Sequence, residues 1–236
     1  MSAATIQSFL MLGQSNMAGR GDLGAVPDIV HPDILMLREQ GWVPMQEPIN
    51  PDRPFAGVGL AASFAEDFVN TYGGRVGLIP CADGGTCLDQ WAVGGALYNQ
   101  ALRRARQAKQ DSRIVGILWH QGESDSHSQA DADAYEGKFT RIMDSLVREL
   151  GIEDVPLVLG EIGEFAGQYQ NGRCRFFPLV NQALHRLAQS RPHCAIVSAA
   201  GLTSRDDLIH FDSPSCRIFG RRYFAAYQRL RAAMPG

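Results

Sequence analysis

Five short runs of apolar residues, separated by four segments each long enough to form a helix, constrain this chain more than any other feature. The runs are "TIQSFLMLG", "RVGLIPCA", "RIVGILWHQG", "VPLVLGEIG" and "CAIVSAAG". Between them lie "GVGLAASFAEDFVNTYG", "ALYNQALRRARQAK", "ADADAYEGKFTRIMDSLVREL" and "FPLVNQALHRLAQS". In the third of these Tyr135, Phe139, Ile142, Met143, Leu146, Val147 and Leu150 recur at threes and fours, which gathers them on one face of a helix. The runs themselves show no alternation of apolar and polar residues, and a strand that is apolar on both sides has to be covered on both faces. A parallel sheet with helices on each side meets that requirement. The expected fold is therefore one α/β domain over residues 1–236, a three-layer α/β/α sandwich around five parallel strands. A chain of this length can bury roughly 70–75% of its unfolded surface, enough for a substantial core.

In such sheets a ligand sits beyond the carboxyl ends of the strands, near the point where strand order reverses. The polar clusters of this chain all follow an apolar run: "GQSNMAG", "ADGGTCLDQW", "WHQGESD", "GEIGE" and "TSRDDLIHFD". Residues 20–56, rich in Pro and Gly, read as a long structured excursion that walls one side of a pocket. No internal repeat, low-complexity tract or linker interrupts the chain. The formal charge of -3, with the arginines of the last helix spread among apolar residues, leaves no basic face for a nucleic acid. The start "MSAATIQSFLMLG" lacks a positive leader, and its apolar part is too short for a secretory signal or a membrane span. The expectation is a cytoplasmic protein without a membrane partner. Five cysteines (Cys81, Cys87, Cys174, Cys194, Cys216), an odd number without a CxxC pair, fit reduced thiols.

The chain leaves its first strand through Gly-Gln-Ser-Asn. These residues form ordinary turns, and they also suit a serine held as a nucleophile at a sheet edge. A serine hydroxyl needs a base within hydrogen-bond reach and a third group to orient that base. His210, in "DDLIHFD", has Asp207 three residues before it, a spacing that brings both side chains to one face of a turn. The carboxylate can then accept from one imidazole nitrogen while the other faces Ser15. Alone, D-x-x-H is a common surface pairing; its weight comes from sharing a sheet edge with the serine. His120, Glu123, Asp206 and His210 include metal-ligand types, but they compete with the serine constellation, so neither a metal nor another cofactor is expected. There is no G-x-S-x-G elbow and no phosphate-cradling glycine loop.

"GQSNMAG", "GGTCLDQW", "WHQGESD" and "DLIHF", in that order across nearly the whole chain, resemble the sialate O-acetylesterase and acetylxylan esterase group of the SGNH hydrolase superfamily, close to carbohydrate esterase family 6. The resemblance implies the flavodoxin-like SGNH fold, with Ser15 as nucleophile, His210 as general base and Asp207 as its partner. It also implies an oxyanion hole from the Ser15 amide, a glycine amide of the second motif and the side-chain amide of Gln121. Gly85 is taken for the glycine, with Gly84 unseparated from it. Glu123 is open between a second carboxylate beside His210 and a structural acid that holds the first loop through backbone amides. Gln14, Trp91 and His120 are candidate substrate contacts, with core packing as the other reading of Trp91. The implied activity is removal of O-acetyl groups from a small-molecule or oligosaccharide ester. A non-carbohydrate acyl ester, or sugar binding without turnover, remain alternatives.

Overall fold

The computed structural model describes residues 5–234, so the first four residues of the amino-terminal stretch read above lie outside it, as do the last two. Its strands are β1 (Ile6–Gly13), β2 (Ile34–Arg38), β3 (Gly41–Pro44), β4 (Val76–Pro80), β5 (Ser112–His120), β6 (Leu157–Gly160) and β7 (Cys194–Val197). Its helices are α1 (Ser15–Ala18), α2 (Ala61–Tyr72), α3 (Ala96–Ala108), α4 (Gln129–Leu150), α5 (Phe177–Ser190) and α6 (Ser213–Ala233). Each of the five apolar runs is a strand, and each intervening segment contains a helix.

The sheet order is β3-β2-β4-β1-β5-β6-β7, and every neighbouring pair is parallel except β2 with β3. The α/β class stands, while the expected five all-parallel strands become seven in a mixed sheet. The two additional strands come from the excursion over residues 20–56. They are a short hairpin at the sheet edge, and β3 ends in Pro44, a residue suited to an edge because it has no N–H to donate.

Successive residues of β1 are buried on opposite faces. Leu10 and Leu12 join the core beneath α3, α4 and α5, while Phe9 and Met11 join the core beneath α2 and α6. The Phe9 ring meets Phe64, Phe68 and Tyr227 edge-on, at centroid distances of 4.7, 5.2 and 5.0 Å. Such pairs contribute about 0.5–1.5 kcal/mol each beyond simple burial. From β1 the chain passes first to β2–β4 on one side and later to β5–β7 on the other. The reversal of strand order thus lies at the carboxyl end of β1, where α1 begins with Ser15. All five cysteines are free, and among the described residues no helix is long and apolar enough to cross a membrane.

Candidate active site

The site begins with a backbone constraint. Gly13 has φ +135°, and a Cβ there would stand 2.0 Å from the carbonyl oxygen of His120, so only glycine lets β1 end this close to β5. Gln14 N then donates to His120 O at 3.0 Å, and the single turn of α1 carries Ser15 out over the strand ends.

Ser15 Oγ lies 3.0 Å from His210 Nε2, and His210 Nδ1 lies 2.8 Å from Asp207 Oδ2. Asp207 Oδ1 accepts from the backbone N–H groups of Ile209 and His210, both at 3.0 Å, which fixes the carboxylate under the ring. Burial pushes the Asp207 carboxyl upward, but these two amides and the His210 side chain together outweigh it and hold the group below the usual carboxylate range. Residues far apart in sequence therefore form one hydrogen-bonded line.

Asn16 clasps the loop that carries the histidine. Its Nδ2 donates to Ile209 O at 3.0 Å and its Oδ1 accepts from Phe211 N at 3.1 Å, one contact on each side of His210. The same Nδ2 donates to Glu123 Oε1, which also lies 3.3 Å from His120 Nε2. Glu123 is fully enclosed; burial raises its carboxyl, and the hydrogen bonds and charge from His120, with the bond from Asn16, lower it further than burial raises it. Glu123 thus reaches the histidine loop through Asn16, and it holds the first loop by a side chain instead of by backbone amides.

The second motif is braced by the excursion. Gly84 N donates to Asp52 Oδ2 at 2.8 Å, and Asp52 is paired with the buried Arg20 at 2.6 Å. Arg53 binds Asp83 Oδ1 at 2.8 Å and Gly84 O at 3.0 Å. Gly85 has φ +78° with open space where a Cβ would be, and among the described residues its N–H meets no acceptor. The Gly84 amide is already used within the fold, whereas that of Gly85 is free.

Gln121 is wholly buried, and its Nε2 lies 3.2 Å from Gln14 Oε1, 3.0 Å from Thr86 O and in hydrogen-bond contact with Asp125 Oδ2. Two N–H bonds are shared among three acceptors, so Gln121 fastens the second motif to the third; donation to a substrate would replace one of these contacts. Burial pushes the Asp125 carboxyl up to about 6, against opposing hydrogen bonds from Gln121 and Leu88 N.

Three expected substrate contacts are corrected by burial. Gln14, Trp91 and His120 are 2%, 1% and 0% exposed, which leaves them no surface for a sugar. Gln14 Oε1 accepts from Gly122 N at 3.3 Å, Trp91 Nε1 donates to Thr86 Oγ1 at 3.1 Å, and the His120 ring sits against Phe211 and Phe219. Gln14 and Trp91 are polar groups satisfied inside the protein, while His120 Nδ1 lies 3.3 Å from the Tyr223 hydroxyl. The sequence reading did not single out Asn16, although it stands in "GQSN", nor Asp125, although it closes "WHQGESD". Asp52 carries no local signal at all. Phe55 is the large aromatic exposed on this side, 67% accessible, with the Arg20 guanidinium 5.4 Å from its ring centre. Among the described residues no three His, Cys, Asp or Glu side chains converge as metal ligands.

A three-layer α/β/α sandwich with serine, histidine and aspartate at the reversal point of its sheet has the architecture of the SGNH hydrolases. Residues 5–229 match the family described as carbohydrate esterase, sialic acid-specific acetylesterase, and the chain belongs to that family. It is 29% identical over 243 residues to the probable carbohydrate esterase At4g34215 of Arabidopsis thaliana, covering 94% of this chain and 90% of that protein. The crystal structure of the Arabidopsis protein superposes with a TM-score of 0.84 at 26% identity, covering 98% of this chain and 100% of the other. NanS shares the fold with a TM-score of 0.81 at 17% identity, over 99% of this chain and 100% of its own.

Proposed function

We propose that the protein is a serine esterase that removes O-acetyl groups from carbohydrate through an acyl-enzyme. The observation that carries this reading is the line Ser15–His210–Asp207, with contacts of 3.0 and 2.8 Å. As Ser15 Oγ attacks the acetyl carbonyl, His210 Nε2 takes its proton, and Asp207 accepts from Nδ1–H and steadies the imidazolium. The tetrahedral oxyanion receives the N–H groups of Ser15 and Gly85, with Gln121 as a third donor if it releases one of its internal contacts. One such donor contributes ~10²–10³ in rate. Collapse expels the sugar alkoxide, which His210 protonates; His210 then deprotonates water, whose attack on the acyl-enzyme frees acetate and restores Ser15.

Membership of a carbohydrate esterase family supports a sugar ester as the substrate. The test is acetate release from acetylated xylo-oligosaccharides, O-acetylated sialic acid and an aryl acetate. Release from one of the carbohydrates ahead of the aryl ester is expected. Turnover of the aryl ester alone would move the activity to non-carbohydrate esters, and saturable sugar binding without acetate would make the protein a binding module.

Glu123 acts here as a positioning residue. Glu123→Gln keeps an acceptor for Asn16 but removes the charge, turning a charge-assisted hydrogen bond into a neutral one, a difference of about 1.4 kcal/mol. The expected result is a fall in kcat of about tenfold with KM nearly unchanged. A lowered thermal midpoint with unchanged kcat would reduce Glu123 to a purely structural acid.

A further inference from the structure

Behind the loop of the second motif, at the carboxyl ends of β2 and β4 and under α3, lies a cavity of about 310 Å³. Three arginines line it: Arg38 at the end of β2, and Arg103 and Arg104 on α3. A guanidinium carries five N–H donors in a planar fork. Arg104, only 7% exposed, donates to Leu37 O at 2.6 Å and also faces the buried Cys81 thiol, a neutral group that does not balance its charge. Arg38 donates to Ile49 O at 2.8 Å and to Pro48 O at 3.3 Å. The ion pairs of the described residues give none of the three arginines a carboxylate partner. The acidic residues on the same wall do not neutralise them: Asp52 is taken by Arg20, Asp83 by Arg53, and Glu39 is exposed.

We propose that this cavity is a binding site for a phosphate group, held by Arg38, Arg103 and Arg104 together. One buried guanidinium, Arg104, a half-buried one, Arg38, and the exposed Arg103 bring three positive charges to this wall, and none of the three is paired with a carboxylate among the described residues. Enclosed charge without a partner is costly, and an anion supplies that partner. Three guanidiniums lining one cavity suit the charge and the oxygens of a phosphate dianion better than a single carboxylate. Consistent with like charges held close, burial and the Arg104 guanidinium both lower the Arg38 pKa from its usual value. The cavity contains none of Ser15, His210 and Gly85, so the inference does not depend on the esterase reading. It does share Asp52 and Asp83 with the brace of the second motif, so occupancy is expected to stiffen that loop.

The test is titration of the whole protein with inorganic phosphate at constant ionic strength, read by the thermal midpoint and by calorimetry, with malonate as the carboxylate arm. A saturable rise with phosphate, stronger than with malonate, is expected. Arg103 is exposed, so Arg103→Gln should fold and weaken phosphate about tenfold, with Arg103→Lys between it and the parent. Arg106→Gln, elsewhere on α3, should leave binding unchanged. A response that does not saturate, equal losses in the Arg103 and Arg106 variants, or tighter binding of malonate would each overturn the proposal.

Discussion

Ser15→Ala is expected to abolish acetate release, lowering kcat on the order of 10⁴-fold or more, because the variant retains donors and base but has no oxygen to acylate. The substitution removes one atom from a nearly buried position and leaves His210 Nε2 facing a partly accessible space, so the fold should survive. The check pairs an acetate assay with circular dichroism and the thermal midpoint. A folded variant that still released acetate would mean that another group attacks the ester, and the proposed mechanism would fail at its first step.

Asp207→Asn should cost nearly as much, about 10⁴ in kcat, for a different reason. The amide oxygen can go on accepting from Ile209 N and His210 N, which keeps the turn, while its NH₂ faces His210 Nδ1. A donor there favours the imidazole tautomer that carries its proton on Nε2, the atom that must receive the proton of Ser15. The same variant has a stability signature. The native carboxyl lies below its ordinary value, so the unfolded chain binds more protons in the acid range; the ionised group therefore stabilises the fold above the ordinary carboxylate pKa of about 3.9. That contribution disappears as pH falls through the lower native value. Urea midpoints should consequently fall more steeply below about pH 4 in the parent than in Asp207→Asn; parallel curves would show that Asp207 gains nothing from its partners.

The sheet was legible because its strands are buried on both faces, which leaves near-continuous apolar runs such as "RVGLIPCA" with little competing interpretation. β2 and β3 escaped for the opposite reason. "ILMLR" and "GWVP" are short, lie inside a Pro- and Gly-rich stretch, and are joined directly to each other without a helix to mark them. Ser15, Asp207 and His210 drew attention because polar residues just beyond a buried strand need an explanation, and the fold brings the three side chains into hydrogen-bond contact. The same rule misled for Gln14 and His120, since a hydrogen-bonded residue that locks two loops together has the same sequence appearance as one that meets a substrate. Asn16 shows the remaining gap. Its partners, Ile209, Phe211 and Glu123, come from distant segments, and no local pattern encodes that clasp.

The position of β1 at the middle of the sheet also sets a timetable. Ser15 precedes His210 by 195 positions, and one flank of β1 is closed only when β5 arrives. At synthesis rates of ~5–20 residues per second, a growing chain carries Ser15 for roughly 10 to 40 s before His210 emerges from the ribosome. On the proposed mechanism, the hydroxyl has no general base beside it throughout that interval. A chain interrupted during translation would therefore be chemically silent, and competence to cleave an ester would mark a finished molecule.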